Sequence, residues 1–197
     1  MLIQVIQGKV KDADLLRRQE ERWREEIKPG AKGYLGSTGG ITPDGRSITL
    51  VRFESAEAAQ ANSDRAEQAA WWNETAKAFD GEPTFYDCRE VDSMFGGGSN
   101  GAGFVQVVQG RAKDQDKMRG DVEQMEAMLR ERRPDILGMV VAWHGDGGGF
   151  TQAVYFRSEE ETRLQEKATE QDELRQEYMD MFEGQPVFFD LPEPQLD

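Results

Sequence analysis

The chain has 197 residues, with 24 Lys and Arg against 38 Asp and Glu, and a formal net charge of −14. Without clustered cations it is no binder of nucleic-acid backbones, and no apolar run reaches the roughly 20 residues that span a bilayer. One cysteine, Cys88, and one histidine, His144, give neither an internal disulfide nor a spacing such as H-x-x-x-H or C-x-x-C, so no metal is expected. The opening M-L-I-Q-V-I-Q-G-K lacks a cationic-then-apolar export pattern, which together with the lone thiol predicts a cytoplasmic protein. With 37% hydrophobic residues in ordered patterns, the chain is expected to fold.

Leu2 to Gly8 is a short β-branched run ending in Gly, a strand. Asp12 or Asp14 then caps a helix whose apolar stripe, Leu16, Gln19, Trp23 and Ile27, is poor. Pro29-Gly30 ends it. Two strands follow, joined by the hairpin dipeptide Asp44-Gly45. An Ala-, Glu- and Gln-rich helix covers Ser55 to Phe79 and breaks near Asn62-Ser63-Asp64. A strand from Pro83 to Val91 closes this half, and the Gly-rich stretch from Ser93 to Gly103 reads as a flexible connector or, because Met94 and Phe95 are apolar, an ordered loop folded back on the domain.

The same order then recurs. Q-V-I-Q-G-K-V-K-D from Gln4 returns as Q-V-V-Q-G-R-A-K-D from Gln106, and F-D-G-E-P-T-F-Y-D from Phe79 as F-E-G-Q-P-V-F-F-D from Phe182. One residue is inserted at the hairpin, where D-G-R-S faces D-G-G-G-F. The second copy's first helix has a cleaner stripe, Met118, Val122, Met125 and Leu129, and ends at Pro134. So long a period marks a duplicated domain: a first repeat over 1–92, a linker over 93–103 and a second repeat over 104–197. Each repeat reads βαββαβ, an α+β ferredoxin-like plait with both helices on one face of an antiparallel sheet. In the first strand Leu2 and Ile6 lie on one side and Ile3 and Val5 on the other, so the bare sheet face is also apolar and needs cover. The second repeat can supply it, giving a pseudo-dimer within one chain, with further self-association left open.

The doubled βαββαβ pattern, with the F-x-S-x-E-x-A start of the second helix at Phe53, resembles the dimeric α+β barrel superfamily. Within it the chain is similar to the antibiotic-biosynthesis-monooxygenase-like proteins, in a tandem form. The resemblance implies an intramolecular dimeric α+β barrel with a ligand cavity between helices and sheet in each half. It includes cofactor-independent monooxygenases, haem-degrading enzymes and members without known activity. The haem-degrading members use an Asn, a Trp and a helical His. His144 falls near a strand end, so that motif does not transfer. The cofactor-free oxygenases use Asn, Trp and Tyr to hold an enolisable aromatic substrate, and no residue-by-residue match to them emerges.

The candidates come from aligning the halves. Trp71 matches Leu174, which shares a helical face with Tyr178, Met181 and Phe182, so Trp71 reads as core. Trp72 matches Arg175 and lies about 100° around the helix, which makes it the candidate for a pocket lip or an interface, with packing on a neighbouring loop as the plain reading. Asn73 is the polar candidate beside it, with solvation as its plain reading. Gln4 and Gln106 are ligand-orienting amides or, with Gln7 and Gln109, polar braces within the barrel. Trp143 is a pocket or core residue. His144, beside the turn Gly145 to Gly149, is the default general base, although nothing near it forms a nucleophile–base–acid set. The charged runs Arg17 to Glu26 and Glu159 to Glu161 read as solvated helix faces.

Two functions fit these residues: a small-molecule-binding protein that extends to a metal- and flavin-independent monooxygenase, or a non-catalytic carrier, stress-associated protein or interaction module. Because Trp72 faces Arg175 and Ile41-Thr42 faces Trp143-His144, at most one half is expected to hold a working site.

Overall fold

The computed structural model describes residues 1–120, 122–168 and 173–197, with the side chains of 122–124 and 173–174 outside the description. Leu174 and Val122, singled out in the helical stripes, therefore have no described side chain. The chain divides into two compact units, Met1–Arg89 with Gln195–Asp197, and Glu90–Pro194.

The first unit runs β1 (Leu2–Lys9), α1 (Ala13–Arg22), β2 (Tyr34–Ile41), β3 (Arg46–Phe53), α2 (Ala56–Ser63), α3 (Ala66–Thr75) and β4 (Thr84–Cys88). Asp12 caps α1 by accepting from the Leu15 amide at 2.8 Å, and Ser55 caps α2 by accepting from Ala58 at 3.1 Å. The Asp44-Gly45 hairpin turn is present, with Gly45 at φ +81°, a conformation that favours glycine. The break expected near Asn62-Ser63-Asp64 separates α2 from α3. Along β1 and β3 the residues alternate. Gln4, Ile6, Thr49 and Val51 face the helices, while Ile3, Val5, Ile48 and Leu50, on the other face, are 0–2% exposed.

The second unit runs β5 (Glu90–Met94), β6 (Phe104–Arg111), α4 (Gln115–Arg119), α5 (Val122–Arg132), β7 (Ile136–Trp143), β8 (Gly149–Phe156), α6 (Glu159–Ala168), α7 (Glu173–Asp180) and β9 (Val187–Leu191). The single helix expected across Met118 to Leu129 is two. Gly120, at φ +40°, interrupts it, so Met118 packs with Trp143 and Phe150 while Met125 and Leu129 pack against Phe104 and Phe156.

Both sheets are antiparallel and five-stranded, in the orders β10-β2-β3-β1-β4 and β5-β7-β8-β6-β9, where β10 is Gln195–Leu196. These are the two expected α+β, ferredoxin-like repeats, and each sheet gains a strand from beyond its own repeat. The repeat boundaries expected at 92 and 104 differ from this division. The chain leaves the first unit after Arg89, and Ser93 and Met94, read as linker, are part of β5. β5 belongs there because β7 takes up its hydrogen bonds, Met94 is buried, and Asp92 accepts from the Trp143 indole at 2.7 Å. The glycine-rich stretch is also tied down, through the Phe95 amide to Glu126 at 2.8 Å and the Gly97 amide to the Met94 carbonyl at 3.0 Å. Among the described residues no helix is long and apolar enough to cross a membrane.

Each borrowed segment passes over a glycine at a bulge. A Cβ on Gly36 would lie 2.1 Å from the Asp197 carbonyl, and one on Gly138 would lie 1.9 Å from the Gly97 carbonyl. Gly138→Ala is expected to destabilise the second unit by about 1–3 kcal/mol, since backbone must move to admit the methyl. Denaturant unfolding checks this, and an unchanged midpoint would show that the segment after β5 is not held there.

Candidate functional site

The first unit contains a cavity of about 130 Å³ between its sheet and its helices. It exists because the helix-facing positions of β2 and β3 are small: Ser37, Gly39, Ser47 and Thr49. At the matching positions the second unit has Met139, Val141, Phe150 and Gln152. There Phe150 is fully buried, with its ring centroid 5.4 Å from those of both Trp143 and Phe182. The Tyr178 hydroxyl donates to Gln152 at 2.7 Å. Large side chains thus stand in the second unit where small ones stand in the first.

Three tryptophans wall the cavity. Trp23 opens a π-helical turn, Trp23–Ile27, that continues α1, a local widening often met at functional sites. Its indole N–H donates to Gln68 at 2.9 Å, and that of Trp71 donates to the Gln19 carbonyl at 2.7 Å. Their polar edges are therefore satisfied within the protein. Ring centroids of Trp23 and Trp71 are 6.3 Å apart, and those of Trp71 and Trp72 5.9 Å, a continuous aromatic surface. On the floor, Ser47 is 4% exposed and neither its hydroxyl nor that of Thr49 makes a side-chain hydrogen bond among the described residues.

At the rim, Gln195 from β10 donates to Glu20 at 2.6 Å and accepts from Arg24 at 2.8 Å. Burial raises the Glu20 carboxyl above the usual carboxylate range, against the opposing pull of Gln195, Arg24 and Arg17. Tyr34 has its hydroxyl 3.0 Å from both Ser37 Oγ and Asp197 Oδ2, and burial raises its ionisation well above that of a free phenol. Burial works to raise the Asp197 carboxyl, but Lys28 and Tyr34 hydrogen bonds outweigh it and hold the group low.

The structure separates the residues singled out from sequence. Trp72 and Gln4 line the cavity, and so does Trp71, read there as core. Asn73 is exposed and lines nothing, because one step around α3 turns it to the surface. Trp143 is core of the second unit, 3% exposed. Gln106 donates to Asp190 at 2.9 Å, within a network that includes Arg163. His144 also belongs to the second unit, with Nε2 2.8 Å from the Thr151 hydroxyl that accepts from Gln109 at 2.9 Å; burial lowers its pKa. Neither Asn73 nor His144 meets the cavity. Gln7, the counterpart of Gln109, keeps a buried Oε1 without a hydrogen-bond partner.

Sequence reading missed Glu20, Trp23, Tyr34 and Gln195. Glu20 and Trp23 lie in the run read as a solvated face, and the poor stripe through Trp23 was the available signal. Among the described residues no three of His, Cys, Asp and Glu gather as a metal site.

No family model matches the chain, and no curated protein does. Solved structures do. A candidate monooxygenase from Fusobacterium nucleatum covers 100% of this chain and 93% of its own at TM-score 0.75 and 10% identity. Another from Lactobacillus acidophilus covers 100% and 98% at 0.68 and 14% identity. An uncharacterised ferredoxin-fold protein related to antibiotic biosynthesis monooxygenases, from Listeria monocytogenes, covers 98% and 95% at 0.52 and 10% identity. The chain therefore has the fold of the antibiotic-biosynthesis-monooxygenase-like proteins over its whole length.

Thr49→Leu places extra methyl volume in open space, so its cost should stay below about 1 kcal/mol, whereas overpacking a filled core typically costs about 1–3 kcal/mol. Denaturant unfolding measures it, and a larger loss would show that the cavity is closed.

Proposed function

We propose that this is a small-molecule-binding protein whose first unit holds an aromatic ligand, while the second unit has a filled interior. The carrying observation is the tryptophan-walled cavity, about 130 Å³ in the first unit, opposite large side chains at the matching positions. An apolar cavity of ~150 Å³ admits benzene, so one aromatic ring fits with substituents reaching the rim. The single buried Cys88 suits a cytoplasmic setting, where it stays a thiol.

Catalysis is the finer reading, and it needs a base. His144 lies outside the cavity, so that role passes to Glu20, whose raised carboxyl is suited to take a proton from an enolisable aromatic CH2; the carbanion then gives its electrons to O2 and bonds one oxygen atom as the carbonyl, the other leaving as water. The carrier reading draws on the same residue, because Gln195 already engages that carboxyl at 2.6 Å. Oxygen uptake with anthrone, without added metal or flavin, separates them. Uptake lost in Glu20→Gln marks an oxygenase, and binding without uptake marks a carrier.

For binding itself, calorimetry with naphthol is expected to show one site per chain. Trp72→Ala should weaken it about tenfold through lost aromatic contact, and His144→Ala should leave it unchanged. The reverse pattern would move the site to the second unit.

A further inference from the structure

Beside the cavity the first unit has a groove lined by Leu2, Gln4, Gln60 and Asp87, and its second-unit counterpart shows what such a groove holds. There the corresponding residues are Phe104, Gln106, Arg163 and Asp190. The Arg163 guanidinium lies 5.1 Å from the Phe104 ring centroid and donates to Asp190 Oδ2 at 2.6 Å and to Glu166 at 2.9 Å. Gln106 takes the other Asp190 oxygen, Oδ1, at 2.9 Å. One carboxylate is thus shared between an amide and a cation.

In the first unit the amide remains and the cation is gone. Gln4 donates to Asp87 Oδ1 at 2.8 Å, just as Gln106 does to Asp190. Position 60, matching Arg163, is a glutamine whose amide turns to Asp64 at 2.7 Å. Asp87 Oδ2 therefore has no hydrogen-bond partner among the described residues. Glu57 and Asp64 add negative charge to the groove, and its one cation, Arg89, interacts with Glu57. Gln4 and Ser63 line both the groove and the aromatic cavity, so the two spaces adjoin. On the cavity side, Ser47 is 4% exposed, lines the cavity and makes no side-chain hydrogen bond among the described residues.

We propose that the ligand of the first unit is an aromatic cation, an arylalkylamine or arylalkylguanidine, with its ring against the tryptophans and its charged group at Asp87 where the second unit carries Arg163. This rests on the first unit being the binding site, and it specifies the ligand's charge. A charge-assisted hydrogen bond to Asp87 Oδ2 replaces the one Arg163 makes to Asp190.

The test is tryptophan fluorescence titration with phenethylamine, phenethyl alcohol and hydrocinnamate, which share a ring and differ in charge. Phenethylamine is expected to bind about tenfold tighter than the alcohol, with hydrocinnamate weakest. Asp87→Asn keeps an acceptor for Gln4 and should remove the amine's advantage while leaving the alcohol's affinity unchanged. Gln60→Arg, at an exposed helical position, should do the same by supplying the missing guanidinium. Equal binding of amine and alcohol, or an advantage that survives both variants, overturns the proposed charge and leaves the cavity standing. Binding of none of the three overturns the site as well.

Discussion

Side-chain volume on the helix-facing side of two strands governs this protein. A protein interior packs to near-crystalline density, so a void persists only where neighbours cannot reach it. Around Gly39 and Ser47 the space under α1 and α3 stays open; around Val141 and Phe150 large side chains pack together. The tryptophans, the rim carboxylate and the groove at Asp87 matter because that volume is open beside them.

The exchanged strands tie the site to the whole chain. β10 comes from the end of the sequence, yet it pairs with β2 and brings Gln195 to Glu20 and Arg24 at the cavity rim. Asp197 anchors it through Lys28, Tyr34 and the Ser37 amide. The segment that follows the second repeat's last long strand thus completes the first unit's rim. On the proposed reading, the first copy keeps space for a ligand, and the second carries larger side chains at the matching positions.

The repeat, the α+β order, the hairpins and the caps were legible because they depend on local rules: β-branched runs, Asp-Gly turns, and Asp or Ser before a helix. Trp72 was legible as a cavity residue because aligning the halves sets it opposite Arg175, and Gln4 because a glutamine recurs at that strand position in both halves. Glu20 and Trp23 were hidden by their charged neighbours, since a π-helical turn shifts which residues share a face and no composition rule signals it. Gln195 was hidden by sequence distance, for strand exchange is a property of the sheet and not of the local pattern. Gly120 shows the opposite case: an apolar stripe predicted one helix, and one glycine at positive φ made two.

The central claim is that only the first unit has room for a ligand, and a crystal structure with phenethyl alcohol tests it most directly. The account predicts density against Trp71 and Trp72 above Ser47, with Trp143, Phe150 and Phe182 unmoved around a ligand-free interior in the second unit. Equal density in both units, or density only beneath Trp143, would contradict it.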